Sequence, residues 1–100
     1  MDQECSDVKT DAYQAGDEHY RAMRNWLAGG RTRALLNKAY PIAIKYRQAL
    51  TWLKDCYEHA RYSLSRAKKI EVAHEFQTLV QTDIELLDRY DPAPVTPPAK

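Results

Sequence analysis

The positions of glycine and proline constrain the possible fold of this chain more than any other feature of its sequence. Gly occurs only at positions 16, 29 and 30, and Pro only at 41, 92, 94, 97 and 98. Residues 42–91 therefore contain neither helix breaker, and they are rich in Ala, Leu, Lys, Arg, Glu and Gln, which are good helix formers. No stretch alternates apolar and polar residues as a strand does. The sequence predicts an all-α fold.

Apolar residues recur at steps of three and four, which divides the chain into three helices. The first is expected from about residue 7 to 28, where a double glycine stops it. The second starts shortly afterwards, and because its apolar stripe keeps its phase across Pro41, it is expected to be kinked or split there. The stripe then changes face, which predicts a break near residues 63–69 or one unbroken helix with a stutter. The third helix should end near Tyr90.

The whole chain has the composition of one small domain. Its residues are 44% hydrophobic and 29% charged. We expect a small antiparallel three-helix bundle over residues 1–90. The Pro-rich segment 91–100 is expected to be a flexible, disordered tail. Pro94 and Pro97 have the spacing of a PxxP ligand, but a plain tail is the favoured interpretation.

The first residues, MDQECSD, are acidic and lack the basic-then-apolar order of a signal peptide. No apolar run approaches the ~20 residues that cross a bilayer. These features predict a cytoplasmic protein with no membrane partner.

The two cysteines are centred on the double glycine. Cys5 and Cys56 would lie at similar heights if the first two helices folded back on each other, because the rise per residue is the same in both. A disulfide is therefore within reach. In the expected reducing compartment, two reduced thiols are the favoured state.

Charge is strongly divided along the chain although the net charge is only +1. Residues 1–20 hold six acids and one base, residues 21–69 hold two acids and twelve bases, and residues 70–91 hold six acids and one base. The favoured interpretation is that acidic outer helices flank a basic central one. The alternative is a basic patch that binds nucleic acid, in one version through a helix-turn-helix around the double glycine. Its members are Arg31, Arg33, Lys38, Lys45, Lys54, Arg61, Arg66, Lys68 and Lys69.

The second helix has more apolar surface than one neighbour can cover. A second stripe of aromatic and apolar residues, interleaved with Arg47, lies roughly opposite its main stripe, and these residue types are enriched at binding hot spots. Two interpretations stand: a central helix packed on both sides, or an interface for a partner or a second copy. The proposed partner contacts are Tyr40, Ile44, Arg47, Trp52, His59 and Tyr62.

Residues with catalytic chemistry form no recognisable motif. Glu71 and His74 have the Glu-x-x-His spacing of di-iron bundles, but the chain holds a single copy. Asp83 falls on the apolar face of the third helix and should pair with an Arg or Lys of the second helix or with a Tyr hydroxyl, or else lie exposed at the edge of that face, while His19 should be a hydrogen-bonded packing residue. We expect no enzyme, no cofactor and no metal site.

The sequence as a whole predicts a small binding protein. It would act by occupying a surface of a larger protein, as an inhibitor, adaptor or anti-activator, either alone or as a homodimer. Nucleic-acid binding through residues 21–69 is the first alternative. A structural subunit of a larger assembly is the second.

Overall fold

The computed structural model describes residues 5–60 and 64–90. These residues form three helices, α1 (Ser6–Ala28), α2 (Arg33–His59) and α3 (Leu64–Tyr90), and contain no strand. The predicted all-α fold with three helices is confirmed. The tail predicted at residues 91–100, and with it the domain boundary, lies outside the described residues.

The helix boundaries follow the breakers at one junction but not at the other. The first helix ends where the double glycine begins, as predicted. α2 runs as one helix through Pro41, so the predicted split does not occur, while a kink there stays a prediction. α2 ends at His59, where Ala60 has an extended backbone, and α3 begins at Leu64. The helices are therefore interrupted next to the predicted window of 63–69, and the alternative of one unbroken helix is wrong.

The turn between α1 and α2 is built from two left-handed residues and a cap. Gly30 has φ 84° and Arg31 has φ 60°, a region that favours residues without a Cβ. The amide of Arg31 donates to the carbonyl of Trp26 at 2.8 Å, which satisfies a terminal carbonyl of α1. Thr32 is the N-cap of α2, and its hydroxyl accepts from the amide of Leu35.

Small residues bring α1 close to α2. Ala12 and Ala15 on α1 and Ala43 on α2 are all buried, and such short side chains let two helix backbones approach. At Gly16 a Cβ atom would meet the Tyr46 ring at about 3.1 Å, so the glycine makes room for that ring. The largest fully buried side chain is Trp26. Alanines and one large ring thus fill much of the space between these helices.

α2 is the central helix of the three. It packs against α1 on one side and against α3 on the other. Among the described residues, no Cα atom of α1 lies within 8 Å of a Cα atom of α3. On the α3 side the core is formed by Val80, Ile84 and Leu87. The two outer helices are therefore held apart by the helix between them.

A disulfide joins Cys5, just before α1, to Cys56 on α2. The two Cα atoms lie 5.9 Å apart, and Cys5 is buried. The favoured expectation of two reduced thiols is wrong for this structure, and the alternative from the spacing about the double glycine is correct. The expectation of reduced thiols was drawn from the predicted cellular compartment. The spacing of the two cysteines about the double glycine, by contrast, already placed them at similar heights along the first two helices.

Candidate protein-binding groove

The predicted partner contacts on α2 divide between two sides of that helix. Tyr40 is half-buried and lines a small hollow with Leu87 of α3. The guanidinium of Arg47 donates to the side-chain oxygen of Gln81, also on α3. Both residues therefore contribute to the seam between α2 and α3.

The remaining described members of the stripe are exposed. Ile44 and Trp52 have 38% and 56% of their surface accessible, and Trp52 lies beside Asp11 and Glu18 of α1. His59 is exposed, and its Nδ1 donates to the backbone carbonyl of Asp55 at 2.8 Å. Tyr62 lies outside the described residues. The structure does not bring the set together as one surface.

The basic residues are also spread over the molecule. Arg33 lies at the first turn of α2, whereas Lys68 lines a hollow with Leu53 and Tyr57 near its far end, so about 30 Å of helix separates them. The side chains of Lys45, Lys54 and Lys68 lie within 4 Å of the carboxylates of Glu18, Glu58 and Glu71 respectively. Arg66 donates to the carbonyl of Ala60, at the end of α2. The exposed Arg31 and Lys38 and the half-buried Lys69 complete the described members of the patch, while Arg61 lies outside the described residues.

An apolar groove runs between α1 and α3 over the surface of α2. It consists of two hollows of about 250 and 170 Å³, which share Tyr46 of α2 and Phe76 of α3. We call it the α1/α3 groove. Its floor is formed by Tyr46, Leu50, Leu53 and Tyr57, and its walls by Tyr13, Gly16, Tyr20 and Met23 on α1 and by Val72, Phe76 and Leu79 on α3.

The walls of the groove carry large exposed side chains. Tyr13 and Tyr20 on α1 are 60% and 62% exposed, and Leu79 on α3 is 61% exposed. Every large apolar residue that the described parts of α1 and α3 expose, except Leu27 at the end of α1, lines this groove. Several such residues gathered in one patch are typical of an interaction site, whereas scattered ones are normal.

All three helices direct a regular line of residues at the groove. Successive members of each line are separated by alternate steps of three and four, which is the spacing of a coiled-coil seam. The lines are Lys9, Tyr13, Gly16, Tyr20 and Met23 on α1, then Tyr46, Leu50, Leu53 and Tyr57 on α2, then Lys69, Val72, Phe76, Leu79 and Asp83 on α3. The groove is therefore lined like the centre of a bundle on three of its sides.

The two ends of the groove differ in charge. Three lysines, Lys9, Lys68 and Lys69, line the end near the start of α1 and α3. At the other end, Nε2 of the buried His19 donates to Oδ2 of Asp83 at 2.8 Å. The hydrogen-bond partner of Asp83 is thus a histidine of α1, so the predicted Arg or Lys of α2 or Tyr hydroxyl is wrong. The Asp83 side chain is 36% exposed, in line with the alternative of a place at the edge of the apolar face.

The hydroxyl of Tyr46 stands in the floor between these ends. Burial raises its pKa above the ordinary value of 10.0, and the nearby Asp17 carboxylate and Tyr13 phenol raise it further. The ring also packs on His19, with ring centroids 5.3 Å apart. Tyr46 therefore stays a neutral phenol in contact with the pair that closes one end of the groove.

The groove was not predicted from the sequence because the residues of its walls were expected to be part of the core. The apolar stripe of α1 includes Tyr13 and Tyr20, and that of α3 includes Phe76 and Leu79, and each stripe was expected to be buried within the bundle. One signal was present: Tyr13 stands beside Ala12 and Tyr20 beside His19, so the stripe of α1 is wider than the single line of residues that one neighbour covers.

Comparison of the chain with models of protein families, with curated proteins and with solved structures found no match. Within residues 5–60 and 64–90, no three His, Cys, Asp or Glu side chains are grouped closely enough to hold a metal ion. None of the three helices combines the length and the apolar character needed to cross a membrane, over the part of each that the structure describes.

Proposed function

We propose that this chain is a small, non-enzymatic protein-binding module, which receives one helix of a larger protein in the α1/α3 groove. It acts by occupying that surface of the partner, as an inhibitor, adaptor or anti-activator. The observation that carries the proposal is the exposure of Tyr13, Tyr20 and Leu79 along a groove whose floor is already apolar. An amphipathic helix laid in a hydrophobic groove is a recurring mode of protein recognition.

The proposal includes an antiparallel order of the three helices. It is supported by contacts in which residue numbers rise along one helix as they fall along the next: Cys5 with Cys56 and Glu18 with Lys45 from α1 to α2, and Arg47 with Gln81 and Thr51 with Gln77 from α2 to α3. It also includes a kink at Pro41, since a proline inside a helix removes one hydrogen bond and crowds the preceding turn.

The cytoplasmic location expected from the acidic N-terminus belongs to the same proposal, and it has a consequence for the disulfide. The cytoplasm keeps thiols reduced, so the link from Cys5 to Cys56 would be open there. The oxidation state of the two thiols in the native cell therefore reports directly on this part of the proposal.

The stripe on α2 is the competing surface for the same function. Ile44 and Trp52 are its exposed large apolar members and lie on a different side of the molecule from Leu79. Because the two surfaces do not share a residue, substitutions can separate them. The same variants distinguish a homodimer formed through the α1/α3 groove from one formed through the α2 stripe.

A photo-crosslinking experiment tests the proposal. A photoreactive amino acid is placed at position 79 in one variant and at position 52 in another, and each is irradiated in the native cells. We expect a crosslinked protein of one size from position 79 and none of that size from position 52. The same adduct should disappear when Tyr20→Asp is added on the opposite wall, and should persist with Ile44→Asp.

Two results would overturn the choice of the groove. An adduct that forms from position 52, and that Ile44→Asp removes, would place the contact on the α2 stripe. An adduct from position 79 that Tyr20→Asp leaves intact would show a contact that does not use the groove. Circular dichroism of each variant confirms that it keeps the helical content of the parent chain.

A further inference from the structure

From the charge and the residue spacing of the groove, we infer that its occupant is an amphipathic helix of a partner protein with one acidic end, which lies beside Lys9, Lys68 and Lys69. The inference rests on the proposed function and adds the chemistry of the partner to it.

The shape of the α1/α3 groove fits a fourth helix. Three helices direct residues at alternate steps of three and four into one groove, and in a four-helix bundle a fourth helix with the same spacing occupies the remaining side. The walls are set apart by α2, since Cα atoms of α1 and α3 do not come within 8 Å of each other in the described residues. A helix with apolar residues at this spacing therefore completes the core.

The length of the groove sets the length of the occupant helix. The wall on α1 extends from Lys9 to Met23, and at a rise of 1.5 Å per residue this is about 21 Å. A helix that follows the whole groove thus contributes about four turns. Four turns at the observed spacing present four or five apolar side chains.

The charged residues of the groove indicate which end of the occupant helix is acidic. Lys9 and Lys69 lie over the rings of Tyr13 and Tyr57, 5.9 and 5.7 Å from the centroids, so these contacts place their ammonium groups at the groove. Lys68 is 77% exposed and lies 3.9 Å from the carboxylate of Glu71. Of the described residues, Asp83 is the one acid that lines either hollow, and it lies at the opposite end. An occupant with carboxylates at the lysine end is attracted there, and one with cations is repelled.

A second copy of this chain fits the position less well. Apart from the groove walls and the adjoining Leu27, the described parts of α1 and α3 expose no large apolar residue. A second copy could therefore offer its own walls or the exposed face of α2, where Ile44 and Trp52 are eight residues apart and do not form a line at the three-and-four spacing. We assign the groove to a helix of a different protein.

Three synthetic helices test the inference on the full chain. They share one sequence of about five turns with Leu at the three-and-four spacing, and differ only in three residues at one end, which are Glu, Gln or Lys. Binding of each labelled helix is followed by fluorescence anisotropy at low and at high salt. We expect the Glu helix to bind about tenfold more tightly than the Gln helix, because three ordinary rim ion pairs together amount to roughly that ratio. The Lys helix should bind most weakly, and high salt should reduce the differences.

Charge variants provide the matched control. Replacing Lys9, Lys68 and Lys69 by Gln should abolish the preference, so that the Glu and Gln helices bind this variant with equal affinity. Replacing Arg33, Lys38 and Lys45 by Gln removes the same number of charges away from the groove, and should leave the preference unchanged. Leu79→Asp on the wall should weaken all three helices.

Each contrary result has a distinct meaning. If the three helices bind with equal affinity and Leu79→Asp still weakens that binding, the inference of an acidic end on the partner is overturned, but the proposed function stands. No binding by any helix, while position 79 still crosslinks to a cellular protein, overturns a helical occupant and keeps the groove as the contact. A dimer in light scattering that Leu79→Asp dissociates, and that excludes all three helices, assigns the groove to a second copy and overturns the inference.

Discussion

His19 on α1 donates from Nε2 to Oδ2 of Asp83 on α3 at 2.8 Å, and so joins two helices whose backbones remain separate. His19 is buried, while the side chain of Asp83 is about one-third exposed. The pair therefore closes one end of the α1/α3 groove and sets the distance between its walls there. The other end is lined by lysines.

Removing the acceptor of this pair should destabilise the protein. In Asp83→Ala the buried Nε2 of His19 loses its partner, and its Nδ1 already has none in the described structure. An unsatisfied buried polar group costs about 1–3 kcal/mol, so we expect the free energy of unfolding to fall by that amount in urea titrations.

The double variant His19→Leu with Asp83→Leu is the control for this prediction. Replacing both partners of a buried polar pair by apolar groups is often close to neutral. We expect the double variant to be more stable than Asp83→Ala. If both variants were equally unstable, the cost would come from lost packing rather than from the hydrogen bond.

Two leucines on α3 should respond differently to the same substitution. Leu87 is fully buried, and Leu87→Ala should lower the free energy of unfolding by about 2–5 kcal/mol. Leu79 is 61% exposed on the groove wall, and Leu79→Ala should lower it by less than about 1 kcal/mol. Urea titrations of the two variants make the comparison. A large loss in Leu79→Ala would mean that the groove is closed in solution.

The helices could be predicted where a local signal marks them. The double glycine after Ala28 ends α1, and the lack of breakers after Pro41 allows a long α2. The end of α2 at His59 could not be predicted to the residue, because the cap there is Ala60, with no Gly or Pro near it. Periodicity showed only that a change of face had to follow.

The groove could not be predicted because periodicity shows which way a side chain points but not what it meets. Tyr13 and Tyr20 belong to the same stripe as the buried Met23, and only the placing of α3 decides that they stay exposed. That placing depends on how closely each outer helix approaches α2. The alanines of α1 allow such an approach, but the pattern alone does not show that α1 and α3 then fail to meet.

Titration of Tyr46 should make stability fall at high pH. Its pKa is raised in the folded state, mainly by burial and further by Asp17, so the folded protein keeps the proton where the unfolded chain loses it. The contribution is present below the ordinary pKa of 10.0 and is lost as the pH rises through the folded value. Because lysines also titrate in this range, the measurement is the difference in unfolding free energy between wild type and Tyr46→Phe. We expect it to be constant below about pH 9 and to decrease above 10. A difference independent of pH would contradict the raised pKa.

Opening the disulfide should destabilise the fold more than any single surface change. Cys5 and Cys56 are 51 residues apart in sequence, and in the chain-entropy account closing a loop of that size contributes about 4 kcal/mol. We expect the oxidised protein to lose about 2–4 kcal/mol of unfolding free energy when reductant is added, as measured in urea. The variant with Cys5→Ala and Cys56→Ala should match the reduced protein and should not respond to reductant. Equal stability of the oxidised and reduced wild type would show that the pair does not hold α1 on α2.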